Sequence, residues 1–155
     1  MGYCHTFWFK EKVKRFDEKL LVKIKVITDS FYKKEVIQFE SDNDSEPIVT
    51  EKEIRFNGKG DKGYETFYLT PETVKYSFIK TGGTEPKEYD LVVCLVLLIF
   101  KLYYKDNFAL NSDGFYPPIE GSWLKAIKYI NKVCKKTTIR LEDVAGESNK
   151  TIRIY

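Results

Sequence analysis

Histidine occurs once in these 155 residues, at His5, and cysteine three times, at Cys4, Cys94 and Cys134, with no CxxC pair among them. A zinc site of clustered cysteines and histidines is therefore nearly excluded, and so is acid/base catalysis by two histidines. Three widely spaced cysteines cannot all pair, so no disulfide framework is expected and a reducing, cytoplasmic setting fits best. Long runs of one charge are also missing: 26 basic residues stand against 23 acidic ones, and basic runs stop at pairs such as Lys33-Lys34 and Lys135-Lys136. A net charge of +3 permits an anionic ligand and argues against a long nucleic acid as partner. The apolar run Leu91 to Phe100 is ten residues long, short of the roughly 18 that a membrane span needs. Met1 to His5 lacks the basic and apolar regions of a secretory signal, so neither export nor a membrane is expected. A Walker A loop, a dinucleotide fingerprint and a nucleophile elbow are absent as well.

What is present suits one core. A hydrophobic content of 43% over 155 residues predicts a single domain spanning 1–155. Alternation predicts a strand over Tyr3 to Lys10, with Tyr3, His5, Phe7 and Phe9 on one face and Cys4, Thr6 and Trp8 on the other. Phe16, Leu20, Ile24, Ile27 and Phe31 recur at helical spacing and predict an amphipathic helix ending near Lys33. Short strands follow at Val36 to Phe39, Glu53 to Asn57, Glu65 to Leu69 and Tyr76 to Lys80. A loop over 81–86, a buried helix from Lys87 to Tyr104, a brief strand at Phe108 to Leu110 and a turn at 111–114 come next. Ser122 is the expected N-cap of a third helix carrying Trp123, Ile127, Ile130 and Cys134. Thr138-Ile139-Arg140-Leu141 and Thr151-Ile152-Arg153-Ile154 predict a hairpin within 137–155. The fold class that follows is α+β, a mainly antiparallel sheet packed against about three helices, with a C-terminal β-hairpin.

Chemistry concentrates in a few places. Phe78-Ile79-Lys80-Thr81-Gly82-Gly83-Thr84-Glu85-Pro86 reads as strand end, loop and helix start, where free amides and the Lys80 charge would hold a phosphate. The plain alternative is a solvated lysine before an ordinary turn. Asn111-Ser112-Asp113-Gly114 reads either as a turn or as Ser112 and Asp113 lining the same cleft, offering hydrogen bonds to ribose or base. Arg55 and Asn57 alternate with Ile54 and Phe56 and project either toward a ligand or into solvent. Glu65 falls on the apolar face and needs a partner, Lys80 or Arg55. His5, among aromatic residues, fits a hydrogen-bonded core position better than a catalyst. Tyr89 and Trp123, beside polar loops, are candidates to stack on a base.

Several of these segments, Gly2-Tyr3-Cys4-His5, Ile54-Arg55-Phe56-Asn57-Gly58, Glu65-Thr66-Phe67, Phe78-Ile79-Lys80-Thr81, Tyr89-Asp90, Asn111-Ser112-Asp113-Gly114 and Trp123, together resemble a family of small uncharacterised bacteriophage and bacterial proteins. The resemblance covers roughly residues 2–133 and departs at Gly82-Gly83, where the family is more basic, and at Pro86, which is separated from Tyr89-Asp90. It implies a viral setting, the host cytoplasm and a counter-defence role by sequestering a nucleotide signal. The combined expectation is a non-catalytic protein binding a small anionic nucleotide-like ligand through Arg55, Asn57, Lys80, Thr81, Gly82, Tyr89, Ser112, Asp113 and Trp123, with no metal or cofactor. The rivals are a metal-dependent phosphodiesterase or nuclease using Glu65, Asp90 or Asp113 with Lys80, and a protein-binding inhibitor or virion component. A homo-oligomer is compatible with all three.

Overall fold

The computed structural model of the chain describes residues 2–115 and 121–133. The hairpin expected within 137–155 and Cys134 lie outside the described residues. The remainder is an α+β fold with antiparallel sheets, as the sequence predicts.

Strand β1 (Tyr3–Phe9) is the centre of a three-stranded sheet, flanked by β6 (Ser77–Gly82) and β7 (Phe108–Ser112). Its alternation holds: His5, Phe7 and Phe9 are buried while Thr6 and Trp8 are half-buried on the other face. Helix α1 (Glu18–Lys33) starts under Asp17, whose carboxylate accepts the Lys19 N–H at 2.8 Å, and buries Leu20, Ile24, Ile27 and Phe31. It ends in a Schellman arrangement. The Val36 N–H reaches the Phe31 carbonyl at 3.0 Å and the Glu35 N–H the Tyr32 carbonyl at 3.0 Å, with Glu35 in the left-handed region at φ 60°. Four short strands, β2 (Ile37–Gln38), β3 (Ile48–Val49), β4 (Ile54–Gly58) and β5 (Phe67–Leu69), make the second sheet. In it β4 pairs β2 through Asn57 and Gly58, and both β3 and β5 through its first residues.

Helix α2 (Asp90–Tyr104) is apolar on every side, with Val92 through Phe100 all buried, because α1, α3 (Ser122–Val133) and β7 pack around it. Among the described residues no helix is long and apolar enough to cross a membrane. The sheet and helices meet in an aromatic cluster. The Phe100 ring lies 5.0 Å from Phe16, 5.6 Å from Phe108 and 6.3 Å from Phe9, centroid to centroid. Phe7, Phe67 and Phe56, in contact at 5.4 and 5.1 Å, join the two sheets.

Two boundaries differ from expectation in ways that matter for the site. The strand expected to end at Lys80 continues through Thr81 and Gly82, and α2 begins at Asp90, three residues after its expected start. Gly82 permits this: a Cβ there would collide with the Glu85 carbonyl, so the chain folds back on itself more tightly than a side chain allows. Likewise Asn111 and Ser112 are not a turn but the end of β7, which aims the Ser112 side chain into the core.

Phe100 packs against the rings of Phe9, Phe16 and Phe108 at the junction of sheet and helices, so its truncation opens a cavity there. Phe100→Ala is expected to lower unfolding free energy by about 3–5 kcal/mol, read from urea denaturation midpoints followed by circular dichroism.

Candidate functional site

One inward side chain of β1 is not apolar. His5 is completely buried, and a buried imidazole needs partners for both ring nitrogens. It has them: Nδ1 lies 2.7 Å from Ser112 Oγ, directly across the β1–β7 ladder, and Nε2 lies 2.6 Å from Asp90 Oδ1 in the first turn of α2. The donors can be assigned. Ser112 Oγ accepts from the Trp123 indole N–H at 2.7 Å and from the Gly114 N–H at 3.0 Å. Both lone pairs are thereby engaged, so the Ser112 hydroxyl donates to Nδ1 and the imidazole proton sits on Nε2, donated to Asp90. The chain Trp123, Ser112, His5, Asp90 thus links α3, β7, β1 and α2.

The surroundings complete the cluster. Cys94, one helical turn after Asp90, places its sulfur 3.7 Å from Asp90 Oδ2 and 3.8 Å from His5 Nε2. Ser122, at the start of α3, stands near the Asp90 carboxylate. The Thr81 hydroxyl is buried within the field of the same carboxylate but makes no hydrogen bond of normal geometry. Tyr3 closes the open end, its hydroxyl beside Gly114 and its ring 5.4 Å from that of His5. A Cβ at Gly114 would collide with the Tyr3 hydroxyl and the Trp123 indole, which explains a glycine there.

Burial pushes the Asp90 carboxyl up, yet the hydrogen bond from His5, with the hydroxyls near the carboxylate, outweighs it and holds Asp90 below the usual range. Burial, reinforced by the Asp90 charge, pushes the Cys94 thiol well up. Burial and the neighbouring Cys94 and Asp90 push the Tyr3 phenol up.

Tyr3 also lines a surface cleft of about 650 Å³. Its walls are the β6–α2 connection, with Thr84, Glu85 and Lys87; the end of β7, with Asp113 and Gly114; and the first turn of α3, with Ser122 and Lys125. The buried cluster is therefore the floor of this cleft, since Tyr3 and Ser122 belong to both.

The residues expected to bind ligand separate into three groups. Ser112, Asp113, Thr81 and Gly82 lie in or beside the cluster. Lys80 stands opposite Cys4 on β1, and Asp113 accepts the Cys4 N–H at 2.8 Å, so both charges flank the same residue. Arg55 and Asn57 belong elsewhere. The Arg55 guanidinium pairs with Glu40 and sits 4.8 Å from the Phe39 ring, while Asn57 is buried and its side chain ties Gly58, Tyr64 and Thr66 together across the connection between β4 and β5. Tyr89 and Trp123 are fully buried and offer no open face for stacking. The Tyr89 hydroxyl instead donates to the Glu65 carbonyl at 2.5 Å. Glu65 is exposed, not inward, and its carboxylate accepts the Lys80 backbone N–H at 2.7 Å.

Amides expected to be free before α2 are engaged as well. The Lys87, Tyr89 and Asp90 N–H groups bond to the carbonyls of Thr81, Lys62 and Lys87. The carboxylates of Glu65, Asp90 and Asp113 do not form a metal cluster; among the described residues the group that brings three ligand atoms together is His5, Asp90 and Cys94. His5 is the hydrogen-bonded core residue expected and Asp90 one of the carboxylates named for metal chemistry, but their meeting with Cys94 was not foreseen, nor were Tyr3, Lys87 and Lys125 named for a site. The available signal was Asp90 and Cys94 at i, i+4 on an otherwise apolar helix, an acid with no reason to be buried unless a base faced it. No family model, curated protein or solved structure matches the chain.

Removing the hydroxyl of Ser112 would leave the Trp123 and Gly114 N–H groups and one imidazole nitrogen unpaired. Ser112→Ala is expected to destabilise by about 2–4 kcal/mol, more than a surface serine, in urea titration. Because the folded Asp90 carboxyl titrates below its unfolded counterpart, the stability it contributes is full above the unfolded value near 3.8 and is lost as pH falls through the folded one. Asp90→Asn is therefore expected to flatten the acid limb of stability against pH below about pH 4, measured by denaturation across a pH series.

Proposed function

We propose that the chain binds a small phosphate-bearing, nucleotide-like ligand in the cleft above the His5 cluster, without turning it over. The observation that carries this reading is the convergence of three separate segments, 84–88, 113–114 and 121–125, on one concavity of about 650 Å³, within the 300–1,000 Å³ range of small-molecule sites. Lys87 and Lys125 supply positive charge from separate segments, and the carboxylates of Glu85, Glu88 and Asp113 with the Ser122 hydroxyl supply acceptors and a hydroxyl for sugar or base edges. Sequestration is favoured over nucleophilic chemistry by the state of Ser112: its hydroxyl proton and both lone pairs are occupied, so the Ser–His–Asp chain works as a support under the cleft. The resemblance to small phage and bacterial proteins directs the choice of ligands toward cyclic nucleotides and ADP-ribose-type molecules, and the counter-defence role rests on that resemblance.

A second reading draws on the outer face of the first sheet. Tyr76 and Phe78 are 68% and 55% exposed there, next to Trp8, whose ring lies 5.4 Å from that of Tyr76. Exposed aromatic residues in a group suit a protein-binding inhibitor.

Native mass spectrometry with a panel of cyclic and ADP-ribose-type nucleotides distinguishes these. Retained ligand at unchanged mass, with concentration-dependent thermal stabilisation, is expected. Lys87→Glu and Lys125→Glu should each weaken it roughly tenfold, while Arg55→Ala leaves it unchanged. Absence of any adduct would remove the ligand reading, and a product mass would replace sequestration with catalysis.

A further inference from the structure

We propose that His5, Asp90 and Cys94 form a binding site for one zinc-class divalent ion, a property that does not depend on what occupies the cleft above. The three side chains offer an imidazole nitrogen, a carboxylate oxygen and a thiol sulfur, all buried and all within 4.8 Å of one another. That mixed donor set is the one zinc accepts, whereas magnesium and calcium take oxygen alone. The elements aim the donors at one point. Asp90 and Cys94 share one face of α2 at i, i+4, and β1 presents His5 to that face.

The edges can be compared with those of a tetrahedral site. Metal–ligand lengths of about 2.0–2.3 Å put ligand atoms roughly 3.3–3.6 Å apart. The two edges to sulfur, 3.8 Å to His5 Nε2 and 3.7 Å to Asp90 Oδ2, already match that scale. Nε2 also lies 2.6 Å from the other carboxylate oxygen, Oδ1, across a proton, and loading replaces that hydrogen bond with the ion, Oδ2 serving as the carboxylate ligand. The Thr81 hydroxyl, fully buried and without a hydrogen bond of normal geometry, is a further polar group near the same carboxylate.

The protons balance without redox chemistry. The ion displaces the Cys94 thiol proton, which is released to solvent, and takes the Nε2 lone pair of a neutral imidazole whose proton moves to Nδ1. Nδ1–H then donates to Ser112 Oγ, the outer-shell acceptor that a metal-bound histidine requires. The Ser112 hydroxyl turns to Tyr3, and the Gly114 N–H, the longer of the two contacts that Ser112 accepts at 3.0 Å, gives way.

Cobalt(II) added to the full-length protein, purified without chelator and stripped by dialysis, tests the site. One equivalent should produce tetrahedral d–d bands and a near-ultraviolet thiolate-to-cobalt band, displaced by zinc. Cys4→Ser should leave the bands, whereas Cys94→Ser and His5→Gln, checked for folding by circular dichroism, should abolish them. Bands that survive Cys94→Ser, or a folded wild-type protein that shows none, overturn the proposal. If the variants do not fold, zinc-edge X-ray absorption on the wild-type protein decides: one sulfur in the shell supports the site, and a shell of nitrogen and oxygen alone overturns it.

Discussion

The hydrogen bond between His5 Nε2 and Asp90 Oδ1 is the interaction on which the organisation of this end of the molecule depends. It joins the central strand of the first sheet to the first turn of the central helix, with both groups fully buried. A carboxylate in that position is costly unless it is paired and hydrogen-bonded, and breaking one partner leaves the other without compensation. The pair therefore fixes where α2 starts against β1, and everything packed around that start inherits its position.

Two consequences follow along the chain. Ser112 can serve His5 only if β7 runs on past Leu110, so the bond to Nδ1 selects strand over turn for Asn111 and Ser112. Trp123 then reaches the same oxygen with its indole N–H, which anchors the first turn of α3 and brings Ser122 to Asp90. Four elements far apart in sequence are held by one short chain of polar contacts, while the Phe9, Phe16, Phe100 and Phe108 cluster closes the other end by area alone. The apolar end supplies stability; the polar end supplies register.

The proposed function uses the polar end for the same reason. A cleft forms where the β6–α2 connection, the end of β7 and the start of α3 cannot fill the space between them, and the His5 cluster is its floor. The ligand reading uses the walls of that space, and the metal reading uses the floor. They share no ligand-contacting residue, although Tyr3 and Ser122 adjoin both.

Much of the architecture was legible in the residues because it rests on local periodicity. The alternation of β1, the stripe Leu20, Ile24, Ile27 and Phe31, and the unbroken run from Leu91 to Phe100 each report burial through spacing that any chain must obey. Lys80, Asp113, Ser112 and Thr81 were also placed near one another by the order of elements. Asn57, Tyr89 and Trp123 were assigned outward roles that the fold does not give them, and the half-exposed Arg55 is engaged by Glu40 in the second sheet, because polar tips and ring faces look alike in a sequence whether they meet solvent or another segment. His5, Asp90, Cys94 and Ser112 stand up to 107 residues apart, and their meeting is decided by strand pairing and helix docking. By itself the sequence determined which faces are buried; only the tertiary structure decided which buried polar groups face each other, since that choice depends on long-range register and not on local spacing.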